Sequence, residues 1–274
     1  MKILPAHYSL PGPSVAERYD RMAADLGKWK SKLETSPQAL SSFPSYACQM
    51  AALAHALGKP AEEIRHWCRF ALDSGIASLQ SAFTPQGQAI EVSLSGDPVS
   101  LAALGEQSQF APTDWRACFY LSLILHDRES RYFLIKNEAG MIGKKSPTVP
   151  HPWFGQISSL LVHLTLDRKR EWENGYDGLV ETLKNQPSLP PFVTAVEIPV
   201  LKLGEEIIHT STENWDSLIE QALTAHSHFF AADPTRAEDP YGFIAWGPLA
   251  MQDFAATKGF GNGVESPYLP ASLL

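Results

Sequence analysis

The stretch that decides the fold is YACQMAALAHALG-KP-AEEIRHWCRFALDSGIASLQSAF, residues 46–83. In its second half the apolar positions fall at Ile64, Trp67/Cys68, Ala71/Leu72, Gly75/Ile76, Leu79 and Ala82/Phe83. That i, i+3/i+4 stripe runs for six turns and predicts one long amphipathic helix from residue 60. Pro60 suits its first position, and Glu62 and Glu63 suit the positive end of its dipole. The first half is rich in alanine and stops at Gly58, a natural helix C-cap. Only Gly-Lys-Pro separates the two. So short a turn predicts that the helices pack antiparallel.

The same period recurs outward. Helices are predicted over 14–34, 97–110 (opened by an Asp97-Pro98 cap), 113–127, 151–167, 170–185 and 213–232. The 113–127 segment is apolar on most sides and is expected at the centre. The 213–232 helix follows Thr210, with Glu213 three residues on, the spacing of a capping box. A helix over 241–259 is expected to break near Gly247-Pro248. Strand signals are weak. Residues 88–94 alternate briefly, as a short strand or an extended loop, and 192–203 is ambiguous because of Pro199. Residues 138–152 and 185–192 read as connectors, and no repeat of solenoid length is present. The expected fold class is all-α: a multi-helix bundle of antiparallel helix pairs. The chain is expected to form a single domain, 1–274, with possible halves 1–137 and 153–274 joined by the 138–152 loop.

The chain has 274 residues, of which 44% are apolar and 19% charged, ordinary globular values. Its net charge is −8, unevenly spread. Residues 1–137 carry 13 basic and 13 acidic side chains, whereas residues 138–274 carry 9 and 17. From residue 201 onward there are 3 basic and 10 acidic, net −7. An acidic pole repels nucleic acid and anionic lipid and attracts basic proteins; it is also what a solvated surface looks like. The short basic clusters Lys28/Lys30/Lys32 and Arg168-Lys169-Arg170 do not outweigh it. The three cysteines, Cys48, Cys68 and Cys118, lie within apolar helical patterns and form no CxxC pair, which fits buried thiols in a reducing compartment. The N-terminal MKILPAHYSLPGPS is not a signal peptide, and no run approaches 18 apolar residues. A cytoplasmic protein that avoids membranes is the expectation.

Motifs for chemistry fail one by one. His226 and His228 sit two apart, so a helix points their rings about 200° apart, and His226 falls on the apolar stripe as a hydrogen-bonded core histidine. His163 and Asp167 are four apart, the spacing of a cap or ion pair. AGMIGKKSP, 139–147, misses the phosphate-loop pattern twice and reads as a flexible basic loop. No Gly-x-Ser-x-Gly and no thiol in a cationic setting is present. Glu62/Glu63 and Glu205/Glu206 are read as helix-start carboxylates explained by the dipole. No catalytic residue, metal site or cofactor is indicated.

The last residues close the argument. After a helix ending at Lys258-Gly259, Gly261 and Gly263 let the chain turn. VESPYLPASLL then runs extended, because the residue before each proline is held away from helix. Tyr268, Leu269, Leu273 and Leu274 are the expected anchors of a tail docked on the helices; the alternative is an exposed peptide that binds a partner. PLAMQDFAATKGF, the glycine turn and VESPYLPASLL together resemble the C-terminus of the Imm49 family of bacterial immunity proteins, and HWCRFALDSGIASLQSAF resembles a helix in that family's N-terminal half. The resemblance implies a mostly helical, cytoplasmic protein without catalysis, not an enzyme, encoded beside a polymorphic toxin. It implies a cognate toxin domain as partner, in interbacterial competition. A toxin domain with a basic cleft would be steered electrostatically onto an acidic inhibitor. The residues expected to supply that face are Glu205, Glu206, Glu213, Asp216, Glu220, Asp233, Glu238 and Asp239. A helical adaptor with a concave peptide groove, and an uncharacterised enzyme, are the rival classes.

Overall fold

In the computed structural model the described residues are 2–3, 5–7, 13–108, 110–143, 152–186, 189–261 and 263–274. Among them the chain forms β1 (Lys2–Ile3), α1 (Pro13–Leu26), α2 (Trp29–Thr35), α3 (Phe43–Ala56), α4 (Ala61–Phe83), β2 (Ala89–Leu94), β3 (Asp97–Ala102), α5 (Pro112–Ile124) and α6 (Arg128–Gly143). There follow α7 (Pro152–Thr165), α8 (Lys169–Lys184), α9 (Ile198–His209), α10 (Trp215–Ala231), α11 (Pro234–Ala237), α12 (Trp246–Ala256) and β4 (Val264–Glu265). The fold is all-α with two minor strand pairs. Two compact units divide it: Leu10–Asn137 with Leu273, and Met1–Ser9, Glu138–Ser272 and Leu274.

In the 10–137 unit the α3–α4 hairpin is as the sequence predicts. Gly58 takes φ +65, where a side chain would be strained, and Lys59 N–H reaches back to Ala54 O at 2.9 Å. Ala47, Met50, Ala51, Ala52, Leu53 and Ala54 of α3 are almost wholly buried, so the alanines let neighbouring helices approach on several sides. Central α5 buries Trp115, Cys118, Phe119, Leu121, Leu123 and Ile124, and Trp115 Nε1–H donates to Leu134 O of α6 at 3.0 Å. Gly75 of α4 faces it: a Cβ there would stand 2.0 Å from Cys118 Sγ.

Two expectations in this unit need correction. The helix predicted over 97–110 is a strand and a short 3₁₀ turn. Ser95 and Gly96, at φ +53 and +85, make a two-residue hairpin turn that pairs β2 with β3 antiparallel, Leu94 opposite Asp97 and Ile90 opposite Leu101. Positive φ at both turn positions matches the twist of a hairpin, and this overrides the Asp-Pro cap signal. The 14–34 helix is broken at residues 27–28 into α1 and α2. A helix also runs into the segment read as a connector: α6 continues through residue 143. Residues 144–151, the rest of that basic loop, lie outside the described residues.

In the other unit α7 and α8 form a second hairpin, closed by Asp167 at φ +55 and by Arg168 N–H to His163 O at 2.9 Å. The ambiguous 192–203 stretch is a π-helical turn, Val193–Glu197, leading directly into α9; Ile198 N–H reaches back to Val193 O, and Pro199, which has no N–H to give, follows that wide turn. Gly247-Pro248 does not break a helix; it opens α12. The capping box expected at Thr210 is absent: Thr210 is the left-handed C-cap of α9, and α10 starts after Asn214.

The tail is docked. β4 pairs parallel with β1, Lys2 opposite Val264. Ala245 N–H donates to Tyr268 O at 3.0 Å. His7 N–H donates to Tyr268 Oη at 2.6 Å, and that hydroxyl faces His7 Nδ1 at 2.8 Å. Tyr268, Leu269 and Leu273 are buried, each contributing about 1.5–3 kcal/mol. Leu274 is 38% exposed and is not the anchor expected of it, since it lies past the last turn of the tail.

Candidate functional site

The eight carboxylates singled out in the sequence all belong to the 138–272 unit, and α10 sorts them into two groups. Glu205 and Glu206 lie near the end of α9, Glu213 in the turn that follows and Asp216 in the first turn of α10, with Glu220 one turn on. Asp233, Glu238 and Asp239 cluster beyond its other end. The eleven residues of α10 beyond Glu220 put about 17 Å of helix between the groups.

The members differ in what else they do. Asp233 caps α11 by accepting from Thr235 and Arg236 N–H at 2.8 and 3.2 Å, and Asp239 accepts from Tyr241 N–H at 3.0 Å. Asp216 lies against the tail: a Cβ on Gly263 would meet its Oδ2 at 2.1 Å. Glu205 and Glu213 are exposed. Glu205 lies near Tyr176 of α8, whose hydroxyl is pushed up first by burial and then by that carboxylate. Glu206 is half-buried, with Oε2 shut from solvent and without a hydrogen-bond partner among the described residues.

The helix-start reading of Glu205 and Glu206 is overturned. α9 begins at Ile198, so both stand in its C-terminal half, Glu206 within the last turn. There the dipole is negative and opposes a carboxylate by about 0.3–1 kcal/mol. Two of the three cations after residue 200 are engaged elsewhere. Lys258 Nζ bridges Asp167 at 3.1 Å, and the Arg236 guanidinium lies 4.4 Å from the centre of the Phe229 ring.

A groove in the same unit went unnoticed in the sequence. It runs between α7 and α8, holds about 420 Å³ and is lined by Gly155, Gln156, Ser159, Leu160, His163, Asn174, Gly175 and Gly178. Gln156 Nε2–H donates to Thr182 Oγ1 at 3.0 Å, and Ser159 Oγ–H to Glu138 Oε1 at 2.5 Å. Gln156 Oε1 and His163 Nδ1 are buried with no partner among the described residues, at a cost of about 1–3 kcal/mol each. Burial, then Arg168, holds His163 below the usual histidine range; burial raises the Glu138 carboxyl. Two glycines on α8 and a histidine on α7 gave no recognisable spacing, because the groove is made by two helices and belongs to neither.

The histidine on the α10 stripe and the three thiols are all buried. His226 Nε2 lies 2.8 Å from Gly242 O, so it donates there, and burial drops its pKa to about 4: the core histidine the stripe implied. All three thiols are buried and free; Cys48 is pushed up to about 12 and the other two well above the usual range. Among the described residues no three His, Cys, Asp or Glu are placed to hold a metal ion, and no helix is long and apolar enough to cross a membrane.

Compared with known proteins, residues 54–273 match the family described as Immunity protein 49. No curated protein and no solved structure gives a match.

Proposed function

This chain belongs to the Imm49 family of immunity proteins, and from that premise we propose that it binds and neutralises a cognate bacterial toxin domain in the cytoplasm. It acts by occupying the toxin, with no bond made or cut by its own side chains. The acidic group at the α9–α10 turn, Glu205, Glu206, Glu213, Asp216 and Glu220, covers a basic cleft on the toxin and keeps substrate out. Asp233, Glu238 and Asp239 add to the attracting field from the other end of α10. The 1–274 chain works as one immunity-type domain.

The observation that carries this reading is the position of Glu205 and Glu206. Neither is rewarded by the helix they sit in, and the dipole there opposes them. Carboxylates held where local structure disfavours them gain their advantage from a partner's positive charge. Fast electrostatic capture also suits an inhibitor that must find its toxin before the toxin finds substrate.

The test is co-expression with the toxin gene encoded beside this one, scored for growth rescue and for a stable complex. Glu205→Lys with Glu213→Lys should lower the association rate about 10-fold at low salt and much less at high salt. An unchanged on-rate at low salt would remove the acidic surface from the mechanism. Absence of rescue by the unaltered protein would remove the immunity reading itself.

A further inference from the structure

We propose that the α7–α8 groove seats an arginine side chain carried by the toxin partner. This rests on the immunity reading above and adds the point at which the partner is anchored.

Gly178 is the first ground. Gly175, one turn earlier, has a packing reason: a Cβ there would meet Leu160 Cδ2 at 3.1 Å. Gly178 has none, because its nearest neighbour would be Gln156 Nε2 at 4.0 Å, ordinary van der Waals contact. An alanine would fit and would strengthen the helix. What glycine alone preserves at 178 is the open volume of the groove.

The charge around that volume is the second. By helical spacing the stripe of α8 that faces α7 runs Glu171, Asn174, Gly175, Gly178, Glu181/Thr182. It carries two carboxylates and no cation. Across the groove Glu138 holds Ser159, and Arg168 at the closing turn is the one cation that bears on His163. The interior adds Gln156 Oε1, a buried acceptor without a hydrogen-bond partner among the described residues. An acceptor-rich slot with an acidic rim fits a cation. Its walls, Leu160 on one side and glycine backbone on the other, fit a flat one that carries several donors.

The experiment titrates the ¹⁵N-labelled full chain with N-acetyl-arginine amide, N-acetyl-lysine amide and N-acetyl-norleucine amide. Arginine amide should shift the backbone amides of Gly155, Gly175 and Gly178, with a Kd on the order of 10 mM. Lysine amide should shift them less and norleucine amide not at all. Gly178→Leu, checked for folding by circular dichroism, should abolish the response. No shift at about 50 mM arginine amide, five times that Kd, or an equal shift with norleucine amide, overturns the proposal. Gly178→Ala separates binding from folding. It should raise Tm by about 2–4 °C while weakening capture of the co-expressed toxin about 10-fold. Unchanged capture overturns the anchor, whereas failure of the unaltered protein to rescue growth strikes the immunity reading instead.

Discussion

The two units of this chain differ in the ionisable groups that burial perturbs most. The 10–137 unit is almost neutral, with 12 Lys and Arg against 13 Asp and Glu, and the groups that burial shifts furthest are acids kept from ionising, while Asp127, despite its burial, is held below its ordinary range by Ser130 and Arg69. Burial lifts Asp73 and Asp114 to about 6, against the pull of Arg69 on the first and of Ala111 N–H on the second. The 138–272 unit, with residues 1–9, carries 10 basic and 17 acidic side chains. Its most perturbed group is a base kept from charging, His226, and His7 is lowered in the same way by burial. Both rings pack on the tail: His7 stacks on Tyr268 with centroids 5.6 Å apart, and His226 meets that ring edge-on at 5.1 Å. One unit is closed around thiols and helix caps. The other carries its charge outside and depends inside on neutral histidines beneath its C-terminus.

The largest effect that would sharpen this contrast is loss of Tyr268. Its side chain is fully buried and holds His7, α10 and the tail together, so Tyr268→Ala should cost about 3–5 kcal/mol. Hydrogen exchange should show protection lost across 198–274 and retained in α3, α4 and α5. Equal loss in both units would mean that they unfold as one body and the comparison fails.

Acid should separate the units next. A histidine whose folded pKa lies below its unfolded value stabilises the fold above the unfolded pKa, and that stability drains away as pH falls. For His226, from an ordinary 6.5 to about 4, the drain amounts to roughly 3 kcal/mol between those pH values. Asp73 and Asp114 carry the opposite sign: their contribution is present below pH 3.8 and is lost as pH rises through about 6. Lowering pH from 6.5 to 4 should therefore weaken the 138–272 unit and favour the other. His226→Gln, which can still donate to Gly242 O, should flatten the first slope and leave the second. A slope unchanged by that substitution would show that some other group carries it.

The matching lesion in the neutral unit is Gly75→Ala, which forces a Cβ against Cys118 Sγ and should cost about 1–3 kcal/mol. Smallest of all is the effect of the surface on folding. Glu205→Lys with Glu213→Lys should change stability by no more than about 0.5 kcal/mol while it slows capture of the toxin. A large fall in stability would show that these carboxylates serve the fold instead of a partner.

Legibility followed the range of the interaction. The α3–α4 hairpin was readable because its evidence is local: a six-turn stripe, two acids at a helix start, a glycine cap. The docked tail was readable because large apolar side chains, two of them between prolines, have nowhere else to go. The 97–110 helix misled because an Asp-Pro start outweighed Ser95-Gly96, whose meaning depends on a strand on each side. Glu205 and Glu206 were assigned to the wrong end of a helix because Pro199 hid where α9 begins. The α7–α8 groove could not be read at all. It exists only where Gly175 and Gly178 of one helix face Gln156 and His163 of another, and that pairing is set by how two stripes pack.

By itself the amino-acid sequence determined the helical class, the central hairpin, the buried state of His226 and the concentration of negative charge after residue 200. Each follows from periodicity or composition, which a linear chain displays in full. Tertiary structure alone decided that β1 and His7 complete the dock of the tail, that α10 divides the acidic residues into two groups, and that a groove opens beside Gly178. Those outcomes depend on contacts between residues up to 261 positions apart, and no local pattern encodes the distance between them.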